Sequence, residues 1–143
     1  MPEIETYQDI EKYLFGLEGR GWKLDLDRIQ KFLAYLDDPH QKFYSIHIAG
    51  TNGKGSVAAM AESILRKAGY KTGLYASPHL IETSERILVS GNKIPKNILL
   101  NYTQQFKAII DELNCTFFET ITAFAFLFFA ETKIDIAVVE VAH

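Results

Sequence analysis

The chain reads as an α/β protein, a parallel sheet flanked by helices and carrying a phosphate-binding loop. Three observations predict this. From residue 43 onward, short β-branched or aromatic runs alternate with helical periodicities. A Gly-rich loop joins one such run directly to a well-patterned helix. The last run, IDIAVVEV from Ile134 to Val141, is apolar without alternation, as a strand buried on both faces requires.

The elements follow in order. Tyr7, Ile10, Leu14 and Leu17 fall at helical spacing, and the stretch GLEGRG from Gly16 to Gly21 ends that helix. Leu26, Ile29, Leu33 and Leu36 share the face of a second helix, closed by Pro39. Phe43 to Ala49 is a buried strand, and Gly50 to Gly55 a loop. The next helix starts at Ser56, buries a stripe of Val57, Met60, Ala61, Ile64, Leu65 and Ala68, and stops at Gly69. Lys71 to Ala76 is a second strand and Ser77 to Glu85 a polar loop. Arg86 to Ile94 reads as a small strand with a Gly-Asn turn. Pro95 opens a helix carried by Ile98, Tyr102, Phe106, Ile109 and Leu113, and a buried helix covers Thr120 to Thr132. Residues 1–42 form a helical leader, and 43–143 the sheet domain.

Composition narrows the function. The 143 residues are 48% hydrophobic, enough for a packed core and too apolar for a disordered tail. A formal charge of -3 leaves no basic surplus for nucleic acid. The single cysteine, Cys115, excludes an internal disulfide framework and fits a reducing compartment; it reads as a small buried residue. The acidic N-terminus is not a signal peptide, and the apolar stretch ITAFAFLFFA is about half the ~20 residues needed to span a bilayer. The expected location is the cytoplasm, with neither membrane nor nucleic acid as partner.

IHIAGTNGKGS, Ile46 to Ser56, carries the chemistry. A strand, a Gly-rich loop and an immediate helix aim backbone N–H groups and the positive end of the helix dipole at one point. Gly50, Gly53 and Gly55 admit an anion close to the backbone, with Thr51, Asn52 and Ser56 between and after them, and Lys54 adds a positive charge suited to nucleotide β- and γ-phosphates. Neither G-x-x-x-x-G-K-[ST] nor G-x-G-x-x-G matches strictly. Where ordinary phosphate loops place a Mg²⁺-binding hydroxyl after the Lys, this chain has Gly55, so a metal must draw on oxygens elsewhere. Ser77 and Glu140, at the carboxyl ends of predicted strands, are the candidates.

These residues resemble a known family. GTNGKGS, YASPHL with ERI beginning eight residues after Ser77, FFETITAFAF, VVEV, and the upstream GWKLDLDRIQKFLAYLDDP are similar to the N-terminal ATPase domain of folylpolyglutamate synthase, often bifunctional with dihydrofolate synthase and part of the Mur ligase superfamily. Cell-wall Mur ligases usually carry a hydroxyl residue where this chain has Gly55. The resemblance implies a Mur central-domain fold and an ATP-dependent ligase that joins L-glutamate to folate or dihydropteroate through an acyl phosphate. It implies a phosphate loop from Gly50 to Ser56, catalytic roles for Lys54, Ser77 and Glu140, and Ser77 and Glu140 as Mg²⁺ ligands. Pro78, His79, Arg86, Phe118 and Thr122 are implied substrate contacts. The family continues past VVEV with a Gly-rich run, a D-A-T-N segment and a further domain. The resemblance therefore implies an N-terminal part with a sheet incomplete at its C-terminal side, inactive alone and prone to self-association, from a monomeric parent. A non-catalytic nucleotide-binding fragment and a cell-wall precursor ligase are the alternatives.

Other residues read plainly. His47 is structural, His79 divides between loop packing and ligand contact, and His40 and His143 carry no signal. Trp22 and the Phe-rich stretch from 117 to 129 read as core. Glu85 and Arg86 are a solvated pair or belong to the site loop.

Overall fold

The computed structural model describes residues 3–20, 26–49, 54–76 and 83–140, and only the backbone of residues 54 and 55. The helices are α1 (Tyr7–Gly16), α2 (Asp27–Tyr35), α3 (Lys54–Lys67), α4 (Lys96–Leu113) and α5 (Phe117–Glu131). The strands are β1 (Tyr44–Ile48), β2 (Thr72–Tyr75), β3 (Ile87–Val89), β4 (Asn92–Lys93) and β5 (Ile136–Glu140). They form two compact units, one joining Met1–Asp38 to Pro95–Phe124, the other joining Pro39–Ile94 to Ala125–His143. Most of the segment read as a leader thus shares a unit with α4 and the first half of α5.

The helical unit is built on caps and aromatics. Thr6 Oγ1 accepts from Asp9 N–H at 3.2 Å while Asp9 Oδ2 accepts from Thr6 N–H at 3.0 Å, a reciprocal cap that starts α1. α1 buries Ile10 and Leu14, and α2 buries Phe32 and Leu33. Phe32 meets Phe106 edge-on at 6.3 Å and Phe124 at 6.3 Å, so α2, α4 and α5 share one aromatic cluster. Leu26, expected on the buried face of α2, is instead exposed at its start. α4 ends at Asn114, in the left-handed conformation that asparagine tolerates. α5 starts three residues earlier than expected because Thr116 and Glu119 cap it reciprocally: Thr116 N–H donates to Glu119 Oε1 at 2.9 Å and Glu119 N–H to Thr116 Oγ1 at 3.2 Å. Cys115 is fully buried, as read.

The other unit holds a five-stranded sheet in the order β1-β5-β2-β3-β4. β5 runs parallel to both β1 and β2. Its Ala137, Val138 and Val139 are buried, as its unbroken apolar sequence requires. β3 and β4 are antiparallel, so the sheet is mixed rather than wholly parallel. The reason is local. Ser90 and Gly91 both take positive φ, 50° and 83°, and form the two-residue turn of a tight hairpin one residue ahead of the expected Gly-Asn pair. Gly73 on β2 lies against Phe129 and Ile134, where a Cβ would come within 2.8 Å of both side chains.

Two further expectations fail here. β1 is an edge strand with exposed side chains, not a buried one. On α3 the stripe of Val57, Met60 and Ile64 is exposed, and the residues that bury are Ala58 and Glu62. Both differences share a cause: apolar character alone does not bury a side chain, because burial depends on what packs alongside.

Candidate functional site

The parallel strands end together. Ile48 of β1 sits opposite Glu140 of β5, and Tyr75 of β2 opposite Val139, which aligns three carboxyl ends. Open α/β sheets hold ligands just outside such ends. Glu140 is the last residue of β5 and is buried, the one charged side chain in a run of Ile136, Ala137, Val138 and Val139. The chain leaves β1 at Ile48 and enters α3 at Lys54, so Lys54, Gly55 and Ser56 form the first turn of a 14-residue helix whose amides face this end of the sheet. Ser56 is exposed there.

Helix α3 is tied down by a carboxylate that sequence reading overlooked. Thr72 Oγ1 on β2 donates to buried Glu62 Oε2 at 2.6 Å. Arg66 Nε donates to the same oxygen at 2.9 Å and Arg66 Nη2 to Oε1 at 3.2 Å. A Cβ on Gly91 of the β3–β4 turn would stand 3.1 Å from Arg66 Nη1, which places that guanidinium at the hairpin. The sequence signal was the Glu62/Arg66 pair four residues apart, with the Glu on the face that buries.

Arg86 closes a short 3₁₀ turn, Thr83–Arg86, and is buried. Its carbonyl accepts from Ala76 N–H at 2.9 Å, tying it to the residue just before Ser77. Glu85 faces Lys93 at 3.9 Å. Phe118 and Thr122 lie on the first half of α5, one turn apart, in the helical unit; Thr122 is buried and Phe118 half-buried. Gly50, Thr51, Asn52 and Gly53 lie outside the described residues, as do Ser77, Pro78 and His79. His47 is exposed on the edge strand, with Nε2 3.2 Å from Ser45 Oγ.

Among the described residues no three His, Cys, Asp or Glu side chains gather as a metal cluster. Glu140 supplies the kind of hard oxygen donor Mg²⁺ takes, and that ion commonly needs only one or two carboxylates beside phosphate and water.

A second polar centre lies in the helical unit, and no motif announced it. Asp111 on α4 accepts from Tyr13 Oη at 2.6 Å, Lys107 Nζ at 2.8 Å and Arg20 Nη2 at 2.9 Å. Burial opposes the charge on Asp111, but donation from Lys107, Tyr13 and Arg20 outweighs it and holds the carboxyl below its ordinary range. Burial, then the bond to Asp111, pushes the Tyr13 hydroxyl far above its ordinary value. The four side chains line a cavity of about 520 Å³ together with Ile4 and Leu17.

Among the described residues no helix is long and apolar enough to cross a membrane. No protein-family model matches the chain. The chain is 39% identical over 140 residues to a probable bifunctional folylpolyglutamate synthase/dihydropteroate synthase of Haloferax volcanii, covering 94% of this chain and 17% of that protein. It is 38% identical over 142 residues to a dihydrofolate synthase/folylpolyglutamate synthase of Bacillus subtilis, covering 94% of this chain and 33% of the relative. Among solved structures, the folylpolyglutamate synthase of Thermotoga maritima superposes with a TM-score of 0.86 at 41% identity, over 95% of this chain and 33% of that one. A folylpolyglutamate synthase in complex with AMPPCP and folate superposes with a TM-score of 0.86 at 34% identity, over 96% of this chain and 35% of that one. The chain thus spans about a third or less of the length of these proteins, and over that span it has their Mur-ligase type of α/β fold. Sequence and fold together make it a homologue of the folylpolyglutamate and dihydrofolate synthases, matching a portion of their length.

Proposed function

We propose that this chain is the nucleotide-phosphate-binding portion of an ATP-dependent ligase that joins L-glutamate to folate or dihydropteroate. The observation that carries the reading is the alignment of Ile48, Glu140 and Tyr75 at one end of the sheet, beside the first turn of α3. The nucleotide-binding part lies within residues 43–143, and residues 1–42 precede it as a helical leader. The relative bound to AMPPCP and folate supports both the nucleotide and the pterin substrate. A cytoplasmic location suits this chemistry.

In the proposed reaction a substrate carboxylate oxygen attacks the γ-phosphorus of ATP. The bond to the β,γ-bridging oxygen breaks, ADP leaves, and an acyl phosphate forms. The glutamate amine then adds to the acyl carbon, phosphate departs from the tetrahedral intermediate, and the amine loses a proton as the amide forms. Two anions must be brought together, so neutralising charge and fixing position are the main tasks. The Gly50–Ser56 backbone and Lys54 hold the phosphates. Glu140 and Ser77 hold Mg²⁺, which when bound neutralises phosphate charge. Arg86 and the loop from Ser77 through Pro78 and His79, with Phe118 and Thr122, contact the pterin substrate. Because the matched relatives are about three times as long, the chain alone binds nucleotide without completing ligation.

Calorimetry with AMPPCP and Mg²⁺ tests this. Saturable binding is expected, weakened at least about tenfold by Lys54→Ala. Glu140→Gln should weaken it only while Mg²⁺ is present. Absence of binding, or binding indifferent to both substitutions, would overturn the reading. Joined to the rest of a relative, the chain should release phosphate from ATP only with both folate and glutamate. Turnover with a UDP-linked precursor instead would favour the cell-wall reading.

A further inference from the structure

We infer that the cavity between α1 and α4 is a binding site for a small monocarboxylate with an apolar body, its carboxylate on Arg20 and Lys107 and its body over Gly16 and Leu17. Tyr13, Gly16, Leu17 and Arg20 recur at helical spacing along α1 and the 3₁₀ turn Leu17–Arg20 that extends it, so they line one face. Lys107 and Asp111, one turn apart on α4, form the facing wall. The volume of about 520 Å³ falls within the range of small-molecule sites, roughly 300–1,000 Å³. Gly16 opens the space: a Cβ built there would have no neighbouring side chain within 4 Å. Leu17, buried, supplies an apolar floor. At the far end Gln104 Nε2 donates to the Ile4 carbonyl and holds that wall in place.

The chemistry of the occupant follows from the charges already engaged. Asp111 accepts from Tyr13, Lys107 and Arg20, so one negative charge is shared by two positive ones and the excess at this end is positive. The lowered carboxyl of Asp111 and the raised hydroxyl of Tyr13 keep the first charged and the second neutral around pH 7. Arg20 spends Nη1 on the carbonyls of Ile110 and Cys115, at 3.3 and 2.9 Å, and one Nη2 hydrogen on Asp111. A guanidinium carries five N–H groups, so Nε and the second Nη2 hydrogen remain for an acceptor. The Arg20 and Lys107 side chains are 24% and 21% exposed, sheltered enough to attract an anion more strongly than surface cations do, yet still within its reach. At the other end Asp9 accepts from the Glu5 and Thr6 N–H groups, each at 3.0 Å, and its charge is balanced by Lys12; Glu3 there is exposed. One carboxylate therefore matches the excess, and an apolar body covers the floor. The site lies within the helical unit and does not depend on nucleotide binding, so the two proposals fail separately.

Calorimetry with phenylbutyrate, phenylbutylamine and phenylbutanol tests the site, because the three share a body and differ in their polar end. The acid should bind saturably and at least about tenfold tighter than either of the others. Gly16→Leu, which sends a side chain into the opening, should abolish binding of the acid while the melting temperature holds. Lys107→Gln removes a charge and retains an N–H donor for Asp111; it should cut the preference for the acid over the alcohol at least about threefold, a ratio that a purely structural role would not move. Lys54→Ala should leave binding unchanged, which separates this site from the phosphate loop. No binding, an amine that binds as tightly as the acid, or a folded Gly16→Leu that still binds the acid overturns the inference. An unchanged acid-to-alcohol ratio in Lys107→Gln overturns it as well, and that ratio decides if Gly16→Leu does not fold.

Discussion

Arg28 on α2 forks onto Glu119 on α5, with Nε 3.1 Å from Oε1 and Nη2 3.2 Å from Oε2, both side chains largely buried. The same Oε1 accepts the Thr116 N–H that starts α5. One carboxylate thus caps a helix and fastens it to another. Glu119→Ala removes the cap and leaves the Arg28 charge without this partner in a largely buried site. We expect a loss of about 3 kcal/mol, read by urea denaturation. Glu119→Gln, which retains an acceptor, should lose less. Equal losses in the two variants would refute the shared role.

Asp111 and Tyr13 make the helical unit pH-dependent from opposite ends. The folded carboxyl of Asp111 lies below its ordinary 3.8, so its stabilisation is complete above about that pH and fades as pH falls through the lower folded value. Tyr13 is raised above its ordinary 10.0, so its contribution is complete below that pH and fades as pH rises beyond it. Melting temperatures of Asp111→Asn and Tyr13→Phe should lie below the parent at pH 7. The Asp111→Asn deficit should shrink in acid below pH 3.8, and the Tyr13→Phe deficit in alkali above pH 10. A gap constant from pH 2 to 12 would count against both.

Gly73 is needed for space rather than for backbone freedom. Gly73→Ala pushes a methyl group to 2.8 Å from both Phe129 and Ile134. The expected cost is about 1–3 kcal/mol. Gly73→Ala combined with Ile134→Val should recover part of it. An unchanged melting temperature in the single variant would show that β2 shifts freely.

Thr72→Val removes the hydroxyl that donates to buried Glu62 but keeps the shape. We expect a cost of about 1–3 kcal/mol, because a buried carboxylate oxygen loses a donor. Thr72→Ser should restore most of it. If valine and serine behave alike, the bond contributes nothing to holding α3 on β2.

Local pattern reached far into this protein. The periodicity of Tyr7, Ile10 and Leu14, the unbroken apolar run of β5 and the glycine-bounded start of α3 each act over a few residues, so they can be read from the chain alone. Thr116 and Glu119 are legible too, as a Thr-x-x-Glu cap, and it starts α5 three residues before the expected Thr120. GTNGKGS and the apolar-bounded Glu140 pointed to phosphate chemistry because backbone geometry and charge at a strand end are local features. What tertiary structure alone decided was which apolar residues find company. Val57, Met60 and Ile64 have the spacing of a buried stripe, yet Glu62 is the residue that buries, because Thr72 and Arg66 satisfy its carboxylate. Tyr13, Arg20, Lys107 and Asp111 converge from positions 98 residues apart, beyond any local signal. Periodicity specifies which face of an element is apolar, whereas burial depends on the neighbour that meets it, and that neighbour is chosen by the fold as a whole.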